Sequence, residues 1–242
     1  MLNICLIGYG NWGKLLYKKL NRITKIIKIL DSKNYSLKGL DKVDWIVIAT
    51  PNKTHYKIIK DCLKIKKNVF CEKPLVFKYS QAIELYNLAE KNNSKIIVSD
   101  LSDYKRNIRI KKKENLFKRF KNSREDNKMK TKRYDLLYRF AYHDIGYLYK
   151  SIRRKKISLI KILSSKNFLK FIIKFGDQAF TFHYDTLKNK KTYIFNKKSL
   201  YQKKDIIKQM FIDYLYNKKS YKINKKKSLY IIKLLEKIRN EI

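Results

Sequence analysis

With 242 residues, 44% hydrophobic and 14% aromatic, the chain is long enough for one large domain or two modest ones and apolar enough for a real core, which excludes disorder throughout. No apolar run approaches the roughly 20 residues that cross a bilayer, the start MLNICLIGYG carries no basic leader, and the scattered cysteines Cys5, Cys62 and Cys71 form neither a disulfide framework nor a zinc site. A soluble, cytoplasmic, metal-free protein is the expectation. The formal charge of +40 invites nucleic-acid binding through phosphate neutralisation, but the lysines run along the whole length beside abundant Asn, Ile, Tyr and Phe, as A/T-rich coding produces. Such a spread raises non-specific affinity without making a site, so no specific nucleic-acid partner is expected.

In chain order, NICLIG (3–8) is a short apolar run ending in glycine, and NWGKLLYKKLNRI places Trp12, Leu15, Leu16 and Leu20 on one helical face. The pattern is strand, glycine turn, helix. KIIKILD then reads as a strand ending at Asp31, and DWIVIAT as a buried strand ending at Thr50. THYKIIKDCLKIKK is a helix, NVFCEKP a strand, YSQAIELYNLAEKN a helix and KIIVSD a strand. Strands alternating with helices imply right-handed crossovers and a parallel sheet. Residues 1–100 therefore read as a doubly wound Rossmann-type domain.

From 101 to 242 the pattern changes. A highly charged stretch with Phe117 and Phe120 as apolar anchors contains KNSREDNKMKTK, which reads as an exposed loop. DLLYRFAYHDIGYLYKSI follows as a helix. ISLIKIL, FLKFIIKFG, QAFTFHY and KTYIFN follow as strands, and DIIKQMFIDYLYN and SLYIIKLLEKIRNEI close the chain as helices. Consecutive strands without intervening helices suggest a smaller α+β domain built on a mostly antiparallel sheet.

The chain has only 6 glycines, and Gly8, Gly10 and Gly13 spend half of them on one G-x-G-x-x-G turn. After a strand and before a helix, this spacing makes a tight turn, admits a pyrophosphate to the backbone, and lets helix and strand pack closely. The helix N-terminus then offers N–H groups to the phosphates. Asp31, 18 residues past Gly13, stands where a carboxylate accepts hydrogen bonds from the adenosine ribose hydroxyls and repels a 2′-phosphate. NAD is favoured over NADP on that ground, although Ser32 and Lys33 follow and could receive a phosphate. Both prolines of the chain sit in ATPNKTH (49–55) and CEKPL (71–75), each directly after a parallel strand, at the carboxyl edge where ligands bind in such sheets.

The glycine turn, IATPNKTH and NVFCEKPL, in this order and spacing, resemble the Gfo/Idh/MocA family of NAD(P)-dependent oxidoreductases, many of which act on sugars, inositols and nucleotide sugars. The resemblance implies cofactor contacts from Gly8 to Gly13, including Tyr9, Asn11 and Trp12, and from Asp31, Thr50, Pro51, Asn52, His55, Glu72 and Lys73. It makes Lys73 the catalytic lysine, with a small sugar or nucleotide-sugar substrate. His143, in RFAYHDIGY, falls at the family's second catalytic position. Read from its residues alone it is either a substrate partner or a histidine packed on an amphipathic helix. Arg139 and Gly146 occupy positions where the family's motif or many of its members carry Asp, and two further departures matter more. Only eleven residues, SKNYSLKGLDK, separate Asp31 from Val43, where the family fits a helix and a third strand, and the second domain is short as well. A reduced enzyme and a dinucleotide-binding regulator that has lost turnover are both compatible with these departures. Homo-oligomerisation through the second-domain sheet is the partner surface that the resemblance implies.

Overall fold

Short, continuous apolar runs suit strands covered on both faces, and the first sheet is made of them. In the computed structural model, which describes residues 1–104, 110, 113–120, 136–165, 167–186, 192–200 and 205–242, the strands β1 (Asn3–Ile7), β2 (Lys25–Leu30), β3 (Trp45–Ile48), β4 (Asn68–Cys71) and β5 (Ile96–Val98) form a sheet in the order β2-β1-β3-β4-β5. All its pairings are parallel. Helices α1 (Asn11–Leu20), α2 (Asn52–Lys64) and α3 (Tyr79–Lys91) supply the crossovers. The chain reverses direction across the sheet between β1 and β3, which opens a crevice at their carboxyl ends. Between β2 and β3, residues 31–44 contain turns only, so the shortened edge read from the sequence is a property of the fold.

This sheet belongs to a unit made of Met1–Leu101 and Asp205–Lys233. Helix α5 (Ile206–Leu215) packs Phe211 on Phe70 of β4, with ring centroids 4.7 Å apart. Helix α6 (Tyr221–Asn240) covers the exposed edge of β5 with side chains. Asn224 Oδ1 accepts the Val98 N–H at 2.8 Å and Asn224 Nδ2 donates to the Val98 carbonyl at 2.9 Å. One turn further on, Lys227 pairs with Asp100 at 2.7 Å, both side chains only 3% exposed.

The second unit, Ser102–Lys204 with Leu234–Ile242, is built on a six-stranded sheet. Its strands are β6 (Glu114–Phe120), β7 (Ile157–Ser164), β8 (Phe168–Phe175), β9 (Gln178–Asp185), β10 (Thr192–Phe195) and β11 (Lys198–Ser199), ordered β11-β10-β6-β9-β8-β7. Only β6 and β9 run parallel; the other neighbours are antiparallel. The expected α/β plus mostly antiparallel α+β architecture is therefore present, with β6 as a strand that the sequence pattern did not reveal. The expected loop over KNSREDNKMKTK lies outside the described residues.

Alternation along these strands sends one residue in two to the covered face. Phe195, Phe117, Phe182 and Phe171 fall in one cross-strand row on four adjacent strands. Phe117 stacks on Phe182 at 5.3 Å, and Phe182 on Phe171 at 4.7 Å. A second row, Tyr193, Arg119 and Tyr184, converges on Asp144 of helix α4 (Tyr142–Ile152). Asp144 Oδ1 accepts from Arg119 Nη2 at 2.6 Å and from the Tyr193 hydroxyl at 2.9 Å, and Oδ2 accepts from the Tyr184 hydroxyl at 3.0 Å. The guanidinium also lies 3.7 Å from the centre of the Tyr193 ring. Burial, reinforced by the Asp144 carboxylate, pushes both phenols well above their ordinary range, so they remain donors.

Asp144 is fully buried, and removing it strands Arg119 in a low-dielectric site. Breaking a buried pair in this way costs about 3–5 kcal/mol. Asp144→Ala is therefore expected to lower the urea midpoint steeply, while Tyr184→Phe, which removes one hydrogen bond to a charged acceptor, costs about 1.5–3 kcal/mol. Equilibrium urea unfolding of the two variants checks the order.

Candidate active site

The glycine turn joins β1 to α1, and each glycine is there for its own reason. Gly8 has φ +97°, and a Cβ on it would lie 2.7 Å from the Ala49 carbonyl carbon. Its N–H donates to the Leu30 carbonyl at 2.7 Å, which ties the ends of β1 and β2 together. A Cβ on Gly13 would fall 2.0 Å from the Gly8 carbonyl oxygen, so the first turn of α1 rests directly on the loop. Gly10 differs: nothing lies within 4 Å of the position its Cβ would take. The packing of the fold does not require a glycine there, and the backbone at Gly10 is open to approach.

Helix α1 begins immediately after Gly10 with no side-chain cap and no acidic residue in its first turn. Its leading N–H groups are the anion-binding end of a helix. Tyr9 and Trp12 flank this end, 36% and 41% exposed. Trp12, which the periodicity places on one helical face with Leu15, Leu16 and Leu20, is exposed in the first turn of α1, whose buried residues are Gly13, Leu16 and Leu20. Asp31 lies exposed directly beyond the end of β2.

At the ends of β3 and β4 stand the two proline loops. Thr50 and Asn52 are half-buried and Pro51 is exposed at the start of α2. The Thr54 hydroxyl donates to Thr50 Oγ1 at 2.8 Å. His55 is fully buried, with Nδ1 2.9 Å from the Pro74 carbonyl oxygen and Nε2 3.0 Å from the Thr50 carbonyl oxygen. The ring therefore braces one loop against the other from below and reaches the crevice through the backbone it holds. Glu72 donates its N–H to the Ile48 carbonyl at 3.0 Å, fixing the second loop to β3. Its Oε2 accepts the Lys73 N–H at 3.3 Å, while Oε1 is buried with no hydrogen-bond partner among the described residues. Lys73 is half-buried in the same loop, and its bond to Pro74 is cis.

In the second unit, His143 is the second residue of α4, half-buried and edge-on to Tyr142 at 6.2 Å. The five residues before α4, Leu137–Ala141, wind as a π-helical turn, a local widening frequent at functional sites. Arg139 lies in that turn with its guanidinium 5.3 Å from the centre of the Phe140 ring. Asp144, next to His143, is consumed by Arg119 and the two tyrosines. Nothing in the one-dimensional pattern marked that cluster beyond a lone acid in a basic helix. His183 on β9 stands edge-on to Phe120 and Phe168, at 5.0 Å and 5.2 Å.

These residues fit a dinucleotide: an open approach at Gly10, an uncapped helix end, and an unpartnered buried carboxylate oxygen on Glu72 beside Lys73. Among the described residues no group of His, Cys, Asp or Glu could hold a metal ion, and no helix is long and apolar enough to cross a membrane.

Residues 33–100 match the model of the Gfo/Idh/MocA oxidoreductase family, described as having an NAD-binding Rossmann fold. Among curated relatives, the uncharacterized oxidoreductase YfiI of Bacillus subtilis is 46% identical over 54 residues, 22% of this chain and 14% of the relative. The 2,7-anhydro-N-acetylneuraminate hydratase of Escherichia coli is 29% identical over 103 residues, 35% of this chain and 28% of the relative. The matched stretches thus span less than a third of those relatives' lengths. Over nearly its whole length the chain superposes on the WlbA (WbpB) dehydrogenase of Thermus thermophilus, solved in complex with NAD and UDP-GlcNAcA. The TM-score is 0.78 at 12% identity, with 98% of this chain and 95% of that one covered. The motifs and the match over residues 33–100 agree that the first unit is similar to the NAD-binding Rossmann fold of the Gfo/Idh/MocA oxidoreductases, and the chain as a whole shares the two-sheet fold of the solved dehydrogenase.

Proposed function

We propose that the protein is an NAD-dependent oxidoreductase acting on a hydroxyl or keto carbon of a sugar or nucleotide sugar. The observation that carries this reading is the carboxyl end of the first sheet, where the open backbone at Gly10 follows β1 and the buried Glu72 oxygen and the Lys73 loop follow β4. The nucleotide sugar in the Thermus thermophilus structure and the sugar acid named for the Escherichia coli relative support the substrate class.

The nicotinamide, when bound, supplies the hydride chemistry. The chain's own residues do the rest. Backbone N–H groups of the glycine turn and the start of α1 hold the pyrophosphate, and Asp31 accepts from the ribose hydroxyls. Glu72 presents a desolvated acceptor beside Lys73. The Lys73 amine hydrogen-bonds the reacting oxygen and moves its proton, stabilising charge as it develops. His143 is the candidate acid/base group of the second unit.

A second reading, a dinucleotide-binding regulator without turnover, draws on one observation: Asp144, the carboxylate beside His143, is locked into the Arg119–tyrosine cluster and cannot orient the imidazole. Incubation with NAD and a panel of nucleotide sugars, followed by absorbance of the reduced nicotinamide, separates the two. NADH binding without turnover on any of them leaves the regulator.

The outer face of the second sheet carries half-buried Leu116, Phe120, Phe168, Ile172 and Ile194. An apolar face of this kind supports association of two copies through it. Sedimentation equilibrium is expected to return a dimer, and Ile172→Lys to shift it to monomer; a wild-type monomer at micromolar concentration refutes this.

Because a Cβ on Gly10 meets no protein atom, Gly10→Ala is expected to keep its urea midpoint within the about 1 kcal/mol that alanine costs at a helix N-cap. NADH affinity by fluorescence titration is expected to fall about 10- to 100-fold, the worth of one charge-assisted hydrogen bond. Unchanged affinity would mean the pyrophosphate does not lie on this turn.

Lys73→Ala is expected to abolish turnover while leaving NADH affinity within a few-fold, since the amine moves a proton more than it holds the cofactor. His143→Ala is expected to cost about 10²- to 10⁴-fold in kcat, the usual range for one acid/base group. Steady-state kinetics together with the titration make the comparison. Full activity in Lys73→Ala contradicts the assignment.

A further inference from the structure

Strand β2 ends at Leu30, whose carbonyl accepts the Gly8 N–H at 2.7 Å, so the next residue starts in register with the glycine turn. That residue is Asp31, and it is clamped. Its N–H donates to Asn34 Oδ1 at 2.6 Å. Its Oδ1 accepts the N–H of Lys33 at 2.8 Å and of Asn34 at 3.3 Å. Asn34 Nδ2 closes the clamp by donating to the Ile29 carbonyl of β2 at 3.3 Å. The Asn34 amide therefore fixes the backbone at Asp31 and the turn that follows it, the backbone N–H groups of that turn hold Oδ1, and Oδ2 is the oxygen that has no protein hydrogen bond among the described residues.

The clamp matters because of what surrounds it. Asp31 is exposed, and residues 31–44 contain no helix or strand to buttress it. An exposed aspartate ordered only by its ligand gives up part of the binding energy as lost rotamer freedom. Fixed in advance, Oδ2 can receive ribose hydroxyls at no such cost, and its charge opposes a 2′-phosphate from a constant position. Unclamped, the carboxylate can turn away, and the ammonium of the nearby Lys33 is free to neutralise that phosphate.

We propose that Asn34 is a positioning residue that sets the preference for a dinucleotide with a free 2′-hydroxyl by tying the turn after β2 to the Asp31 N–H and the Ile29 carbonyl, so that the turn's backbone N–H groups hold the Asp31 carboxylate in place. The inference rests on the NAD reading of the crevice and names the residue that enforces it. Asn34 is exposed, so its removal leaves the core untouched.

The test measures dissociation constants of NADH and NADPH by fluorescence for the full chain as wild type, Asn34→Ala, Asp31→Ala and the double variant, with thermal melting of each without cofactor. In Asn34→Ala the NADPH-to-NADH ratio of dissociation constants is expected to fall about tenfold, roughly one net hydrogen bond, with melting unchanged. In the Asp31→Ala background the same substitution is expected to change the ratio no further, because Asn34 acts only through Asp31. An unchanged ratio in Asn34→Ala, an equal weakening of both cofactors, or the same effect without Asp31 each overturns the proposal. A wild type that binds NADH but shows no preference removes the role of Asp31 and this inference with it. A wild type that binds neither cofactor instead sinks the dinucleotide reading itself.

Discussion

One backbone contact organises the first unit: Gly8 lies against Ala49 and Thr50 while its N–H is held by Leu30. Three strand ends meet at that point, and the candidate residues hang from it in sequence. Asp31 follows Leu30, and Thr50 follows Ala49. Thr50 is joined through the buried His55 ring to Pro74, and so to Lys73. Because interiors are close-packed and transmit strain, a side chain at Gly8 would displace the whole crevice rather than one loop. Gly10, two residues further on, is free of such contacts.

The first sheet was legible because its strands are buried on both faces and read as unbroken apolar runs, with rare glycines and prolines marking where each one ends. The second unit hid one strand. β6, ENLFKRF, turns Asn115, Phe117 and Arg119 inward, and the two polar ones are satisfied by Asn196 and Asp144. A strand whose inward positions are polar has no apolar alternation to detect. The start of α6 was hidden for the same reason, since its first turns spend Asn224 and Lys227 on the edge of β5. Of the candidate residues, the glycines, Asp31, Glu72 and Lys73 were marked by motif and spacing. The buried setting of His55, the π-helical turn before His143 and the clamp on Asp31 depend on three-dimensional partners that no local pattern announces.

The excess of 60 basic over 20 acidic residues gives the rare carboxylates unusual structural weight. Asp144 gathers Arg119 and two tyrosines, Asp100 holds the buried Lys227, and Asp205, at the N-cap of α5, pairs with Lys19 at 2.5 Å. Most of the cations have no such partner available and repel one another through solvent, a penalty that salt relieves. Buried pairs are screened far less. Interior acids thus fix geometry at every ionic strength, while the surface sets how strongly stability responds to salt.

Asparagine amides do in this chain what backbone does elsewhere. An amide carries the donor and acceptor of a peptide group on a short side chain, and can therefore stand in for a neighbouring strand. At one edge of the parallel sheet Asn224 pairs with both polar groups of Val98; at the other, Asn34 takes the Ile29 carbonyl. Between them Asn68 links three segments by accepting the Lys95 N–H and donating to the Asp44 carbonyl. Open sheet edges recruit further strands unless something blunts them. Here a single amide stands on each edge, at Ile29 of β2 and at Val98 of β5. The trimmed edge and the clamp at Asp31 then share one residue: the amide that takes the Ile29 carbonyl on the edge of β2 also holds the N–H of Asp31 beyond its end.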